Sequence, residues 1–141
     1  MSDSDRICAK LDKLYAYYEE LKNISTISFD EYNHNILYRR AVERTVQLIV
    51  ECATDINNML LKMHGQKGST DYFNSFIDIA ELDIIPTNFA LKIAPSTGLR
   101  NILVHEYEDI NDEIVYHSIS TCLEYYLEYI DLINQYLKCT E

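Results

Sequence analysis

The sequence has little glycine, little proline and few positive charges. Three Gly and two Pro among 141 residues, with hydrophobic residues at 48%, argue against a disordered chain and favour a packed, helix-rich domain. No apolar run approaches the roughly 18 residues of a membrane span, and the acidic N-terminus is unlike a signal peptide. We therefore expect a cytoplasmic protein that does not contact membranes.

Several chemical motifs are also missing. The four cysteines, Cys8, Cys52, Cys122 and Cys139, lie far apart and include no C-x-x-C pair. Because cytoplasmic cysteines are mostly reduced, we predict neither a disulfide nor a metal site. The chain has no glycine-rich nucleotide fingerprint and no Ser/His/Asp order, so we predict no cofactor.

The charge is strongly negative and unevenly distributed. The formal net charge is −11, which argues against a broad electrostatic surface for nucleic acid. Residues 1–67 hold 9 basic and 10 acidic side chains, whereas residues 101–141 hold 1 basic and 9 acidic. Any nucleic-acid path should therefore run over the N-terminal half.

What is present is helical periodicity. Apolar residues recur at three- and four-residue steps, which predicts an all-α, single-domain bundle over residues 1–141 with four main helices and a short one. The predicted main helices cover about 5–23, 29–63, 95–105 and 112–138, and the short one about 71–82. On the longest helix the apolar stripe begins at Leu37 and Ala41. Gly98 is expected to let a neighbouring backbone come close.

Two acidic residues of the long helix have a spacing that can be functional. Glu51 and Asp55 stand four apart, as in a metal or acid–base pair. Such a pair lies more often on a hydrated surface, and we favour that interpretation.

The stretch from Arg100 to Tyr107, RNILVHEY, carries the most distinctive chemistry. A guanidinium grips phosphate oxygens with two parallel hydrogen bonds, and an imidazole exchanges protons near neutral pH. If the segment is helical, Asn101 and His105 share one face, and Arg100 lies about 140° around from His105. The alternative is an ordinary helix end, with Arg100 paired to Glu106 or Glu108.

This stretch resembles the R-x-x-x-x-H signature of HEPN-domain ribonucleases, including the polar residue after the Arg, here Asn101. With Tyr107 it is similar to the R-x-x-x-x-H-x-Y form of HepT-type toxins, the ribonuclease half of HepT/MntA toxin–antitoxin pairs. The resemblance covers most of the chain: two helical segments, a short helix, the motif, an acidic turn and a last helix.

The resemblance implies a metal-independent endoribonuclease. His105 would be the general base, Arg100 the phosphate clamp, and Asn101 would orient one of the two reacting groups. Attack by the 2′-hydroxyl would leave a 2′,3′-cyclic phosphate. The resemblance also implies a homodimer with a composite active-site cleft, and O-adenylylation of Tyr107 by an MntA-type nucleotidyltransferase antitoxin.

Three arginines of the long helix, Arg39, Arg40 and Arg44, form a local positive patch that we predict to contact RNA. The alternative for the patch is a solvated helix face. The alternative for the whole chain is a non-catalytic helical dimer that binds a protein or nucleotide partner. Neither interpretation of the sequence identifies which RNA would be cut.

Overall fold

The computed structural model describes residues 2–105 and 110–139, which form seven α-helices. The predicted all-α class is confirmed. Every helix among the described residues is too short or too polar to cross a bilayer. The helices are α1 (Asp3–Ile24), α2 (Phe29–His34), α3 (Ile36–Met63), α4 (Tyr72–Glu81), α5 (Thr87–Ile93), α6 (Ser96–His105) and α7 (Asp112–Leu137).

The three long helices build the core. α1 packs against α3 and α7, while α4 and α6 pack against α3. The first helix was predicted over about 5–23, and α1 buries an apolar stripe at three- and four-residue steps: Ile7, Leu11, Leu14, Tyr18 and Leu21. α6, which carries the Arg-to-His motif, thus lies on one side of the longest helix.

The predicted helix over 29–63 is wrong in one respect, because it is two helices. Asn35 has extended backbone angles and its side chain accepts hydrogen bonds from the backbone of Leu37 and Tyr38. An asparagine bonds its own neighbouring backbone well, so it ends α2 and caps α3. The prediction treated the absence of Gly and Pro as evidence for continuity, and it missed this cap.

The first turn of α3 also departs from the prediction. Leu37 is 78% exposed and Ala41 is exposed, whereas Val42 and Val46 are buried. The turn from Ile36 to Tyr38 leaves three large apolar side chains exposed, because the fold does not cover this end of the helix. Further along, the helix buries residues at three- and four-residue steps: Thr45, Ile49, Cys52, Ile56 and Leu60.

The cysteine prediction is wrong for two of the four residues. Cys8 on α1 and Cys139, just after α7, form a disulfide with a Cα–Cα distance of 5.7 Å. Cys52 and Cys122 are free and buried, as expected of small apolar residues. Sequence spacing could not reveal the pair, since 131 residues separate its members and only the packing of α1 on α7 brings them together.

The expectation for Gly98 is also wrong. A Cβ atom placed at Gly98 would meet no heavy atom within 4 Å among the described residues. The residue lies on the exposed side of α6, so no close backbone approach within the chain explains it.

Candidate functional site

Two contacts fix the helix that carries the motif. At its start, the Ser96 hydroxyl lies 2.7 Å from the hydroxyl of Tyr126, which is fully buried on α7. Near its end, Leu103 is 8% exposed and belongs to the core. α6 is therefore held at both ends, and its outer side chains are presented from a rigid element.

Arg100 is held tightly by its neighbours. Its Nε and Nη2 donate hydrogen bonds of 2.9 and 2.7 Å to one carboxylate oxygen of Glu51 on α3. Its guanidinium carbon lies 4.5 Å from the ring centroid of Tyr72, in cation–π geometry. Gln47 donates to the same oxygen of Glu51 at 3.1 Å. The side chain of Arg100 is 15% exposed, so its position is largely set before any ligand arrives.

The carboxylate that pairs with Arg100 differs from the one named for the helix-end alternative. Glu51 lies 49 residues away in sequence, whereas Glu106 and Glu108 fall outside the described residues. The interpretation of Glu51 and Asp55 as one hydrated pair is wrong for Glu51. Asp55 pairs with Lys10 at 3.2 Å, so the two carboxylates have different partners.

Asn101 and His105 lie on the outer side of the same helix. The Asn101 side-chain oxygen accepts a hydrogen bond of 3.3 Å from Arg100 Nη1, and both Asn101 and His105 are exposed. His105 is the last residue of α6, about 7.5 Å further along the axis than Arg100 at 1.5 Å per residue. Tyr107 lies outside the described residues.

The structure brings two of the three predicted catalytic residues into one cavity. A cavity of about 360 Å³ opens between the start of α4 and α6, lined by Asp71, Tyr72, Phe73, Thr97, Arg100 and Asn101. His105 is not part of this lining. Within one chain, then, the histidine does not line the cavity that contains the arginine.

The three arginines of α3 have different environments. Arg39 is 18% exposed and its Nε lies 3.5 Å from a carboxylate oxygen of Asp112. Arg40 bonds Glu43 at 2.9 Å, and Arg44 is exposed. Arg40 and Arg44 also line a cleft of about 210 Å³ next to Leu103 of α6. A contact with RNA stays a prediction, and Arg40 and Arg44 are better placed for it than Arg39.

Sequence reasoning missed two neighbours of the motif, Tyr72 and Phe73. Both were hidden because they lie on a different helix, some 30 residues before Arg100, and a periodicity cannot say which helices face each other. Asp71 caps α4, since its side chain accepts a hydrogen bond of 2.7 Å from the backbone of Asn74. Capping also fixes the edge of the cavity.

The protein is thus an all-α bundle in which one helix carries an Arg–Asn pair and, five residues after the arginine, a histidine. Residues 14–133 match the family described as "Ribonuclease HepT-like". The chain belongs to this family, and the predicted resemblance is confirmed.

Two curated relatives and one solved structure are similar to the chain. It is 40% identical over 133 residues to the "tRNA nuclease HepT" of Aphanizomenon flos-aquae, covering 94% of this chain and 90% of the relative. It is 26% identical over 116 residues to the "mRNA nuclease HepT" of Shewanella oneidensis, covering 81% and 87%.

The solved structure is the tri-AMPylated HEPN toxin of Shewanella oneidensis in complex with its MNT antitoxin. The TM-score is 0.83 with 23% sequence identity, and the match covers 96% of this chain and 99% of the other. At this identity the match establishes a shared fold over nearly the full length.

Proposed function

We propose that the protein is a metal-independent endoribonuclease, the toxin of a toxin–antitoxin pair. The observation that carries the proposal is the motif of α6, where a half-buried, pre-oriented Arg100 adjoins Asn101 and precedes an exposed His105 in a chain of the HepT-like ribonuclease family.

The chemistry follows from these three side chains. His105 takes the proton of the ribose 2′-hydroxyl as that oxygen attacks the adjacent phosphorus. Arg100 Nη1, the guanidinium nitrogen that does not contact Glu51, stabilises the developing charge on the phosphate oxygens, and Asn101 orients the phosphate beside it. The bond from phosphorus to the 5′-oxygen breaks, and that oxygen takes up the proton that His105 holds, so the products carry a 2′,3′-cyclic phosphate and a 5′-hydroxyl.

The substrate class to test first is tRNA. The relative with 40% identity is named a tRNA nuclease, whereas the relative named an mRNA nuclease is 26% identical. Because RNA is the substrate, we place the protein in the cytoplasm. Arg40 and Arg44, beside Leu103 of α6, are the proposed backbone contacts.

A homodimer with a composite cleft is the proposed active assembly. It is supported by the separation of His105 from the Arg100 cavity, and by Ile102, which is 36% exposed on the motif helix. The variants Arg100→Ala and His105→Ala, each expected to be inactive alone, are unfolded, mixed and refolded together. The mixed dimers should recover part of the activity. No recovery in a mixture shown to contain mixed dimers would count against a shared cleft.

Regulation is proposed to act through Tyr107. A nucleotidyltransferase antitoxin of the MntA type would transfer AMP to the phenol, placing bulk and negative charge two residues from the general base. The MNT partner and the AMPylated state in the solved Shewanella complex support this proposal. Incubation with such an enzyme and ATP should label the wild type and not Tyr107→Phe, as mass spectrometry would show.

The experiment that tests the proposed function compares tRNA cleavage by the wild type, Arg100→Ala and His105→Ala, after mass spectrometry confirms that Tyr107 is unmodified. Cleavage by the wild type and a loss of at least about 100-fold in both variants is expected, as for the removal of a transition-state donor or base. An inert wild type, or variants that cut equally well, would favour a non-catalytic binding protein.

A further inference from the structure

We propose that the cavity between α4 and α6 binds a nucleobase, with Phe73 as its stacking surface. The base would belong to a nucleotide whose phosphate contacts Arg100. This inference rests on the proposed ribonuclease function and names the part of the substrate that the cavity accepts.

Phe73 is an exposed aromatic side chain in the lining of the cavity. α4 buries Phe76 and Ile79 completely, yet Phe73 is 42% exposed at the mouth of the cavity. The preceding residue, Tyr72, is occupied by the guanidinium of Arg100. Phe73 therefore supplies an aromatic surface next to the phosphate clamp, and stacking of a base on an aromatic side chain stabilises binding by about 1–3 kcal/mol.

The start of α4, which carries Phe73, is held in place by hydrogen bonds. Asp71 caps α4 through the backbone of Asn74 at 2.7 Å, and the Ser75 hydroxyl accepts a hydrogen bond of 3.0 Å from the buried Asn57 of α3. α3 also holds Arg100 through Glu51. The stacking surface and the clamp are thus both held by α3, so the fold itself sets their separation.

The hydrogen-bonding groups of the cavity determine how a bound nucleotide would be oriented. Nε and Nη2 of Arg100 are taken by Glu51, which leaves Nη1, beside Asn101, to meet a phosphate. The carboxylate of Asp71 would repel a phosphate, so the base lies towards Asp71 and the phosphate towards Asn101.

The carboxylate of Asp71 already accepts hydrogen bonds of 2.7 and 2.9 Å from Asn74, one on each oxygen. A carboxylate oxygen can accept more than one hydrogen bond, so Asp71 can also accept one from a base. Every RNA base presents an N–H donor, and the site is therefore expected to hold a base by stacking without strong selection among the four.

The test uses RNA that cannot be cut. A short 2′-O-methyl oligonucleotide carries 2-aminopurine at one position after another, and its fluorescence is titrated with the full-length, unmodified protein. The wild type should quench one position selectively, because stacking on an aromatic ring quenches this base. Phe73→Ala should abolish that quenching and weaken binding about 10-fold or more. Phe73→Trp should keep the quenching and the affinity of the wild type.

Tyr15→Ala is the matched control, since Tyr15 is 46% exposed on α1 and lies outside the cavity. The proposal is overturned if Phe73→Ala binds like the wild type, or if Tyr15→Ala loses as much affinity. It is also overturned if sedimentation shows that Phe73→Ala weakens binding only by dissociating a dimer. Selective quenching by a wild type that fails to cleave unmodified RNA would uphold this site and reject the ribonuclease proposal.

Discussion

Arg100 carries a permanent positive charge, and the fold gives that charge a partner within the chain. Glu51 accepts two of its hydrogen bonds and Tyr72 covers one face of the guanidinium. A clamp oriented in this way loses little freedom when a phosphate arrives, which favours catalysis through positioning. The acidic partner is thus part of how the arginine is presented.

Replacing Glu51 should therefore impair catalysis more than stability. In Glu51→Ala we expect kcat/KM to fall about 10-fold or more, because small displacements of a positioned group are costly. Asp55→Ala, one turn further along α3, is the matched control and should leave kcat/KM unchanged, since Asp55 pairs with Lys10 at the surface. Equal effects in the two variants would contradict a positioning role. Initial rates on one RNA substrate, with urea unfolding of each variant, provide the measurement.

Glu43 should make stability depend on pH. It is 8% exposed, its Oε2 has no hydrogen-bond partner among the described residues, and burial raises its pKa above the ordinary 4.5, with Arg40 opposing the shift. A raised carboxyl pKa means that the native state holds its proton more strongly than the unfolded state. Stability from this group is therefore present in acid and lost as pH rises through the folded-state pKa.

Glu43→Gln removes this titration and keeps an oxygen for Arg40. The variant should gain stability over the wild type at pH 7, and the gain should shrink as pH falls towards 4. Urea unfolding of both proteins between pH 4 and pH 8 measures the difference. A gain that is the same at every pH, or one that grows in acid, would show that the carboxylate is not penalised by burial.

At the scale of residues, the sequence predicted Arg100, Asn101 and His105 as the functional group and placed them on one helix. It could not predict that Glu51 pairs with Arg100 or that Phe73 lies beside it, because both contacts cross between helices. The motif can be read from neighbouring residues in the sequence, whereas the residues that contact it depend on how the helices pack.

Among the elements, α3 connects the site to the rest of the bundle. The Tyr129 hydroxyl of α7 donates at 2.6 Å to Asn57 of α3, whose amide donates at 3.0 Å to Ser75 of α4. All three side chains are completely buried. A buried polar chain of this kind fixes the rotation of α4, and with it Tyr72 and Phe73.

Removing the hydroxyl of Tyr129 should test this hydrogen-bond network. Tyr129→Phe leaves the Asn57 oxygen buried without its donor, which should cost about 1–3 kcal/mol of unfolding free energy. Tyr125→Phe, four residues earlier on α7 and only partly buried, should change stability by less than about 0.5 kcal/mol. Urea unfolding of the two variants gives the comparison, and a Tyr129→Phe protein as stable as the wild type would contradict the role of the network.

Element boundaries were predicted where a stop or cap was strong and missed where it was weak. The helix starts predicted at about 29, 71 and 112 are confirmed, and Ser28, Asp71 and Asn111 cap these helices. Asn35 was overlooked because it interrupts an otherwise periodic segment, and the exposed turn from Ile36 to Tyr38 follows from a helix end that the chain does not cover. Periodicity indicates which face of a helix is apolar. It does not indicate how far the neighbouring helices extend to cover that face.

For the whole molecule, the Cys8–Cys139 disulfide links the two ends of the chain. The bond closes a loop with a sequence separation of 131, and a loop of that size can stabilise a fold by up to about 5 kcal/mol through the unfolded state. The oxidised protein is therefore expected to be the more stable form.

A reductant should lower the urea midpoint of the wild type towards that of Cys8→Ser, which should itself be insensitive to reductant. Both proteins are measured with and without dithiothreitol, and free thiols are counted in the folded wild type. Identical midpoints for the wild type in the two conditions would mean that the disulfide adds nothing to stability.

We propose that the substrate's own 2′-hydroxyl attacks the phosphate, without a metal ion. The mass of the 3′ ends after cleavage in excess chelator tests this mechanism, beside a substrate with a single 2′-deoxy nucleotide at the cleaved position. We expect cleavage in chelator, a 2′,3′-cyclic phosphate on the product, and no cleavage at the deoxy position. Loss of activity in chelator, or equal cleavage of the deoxy substrate, would rule the mechanism out.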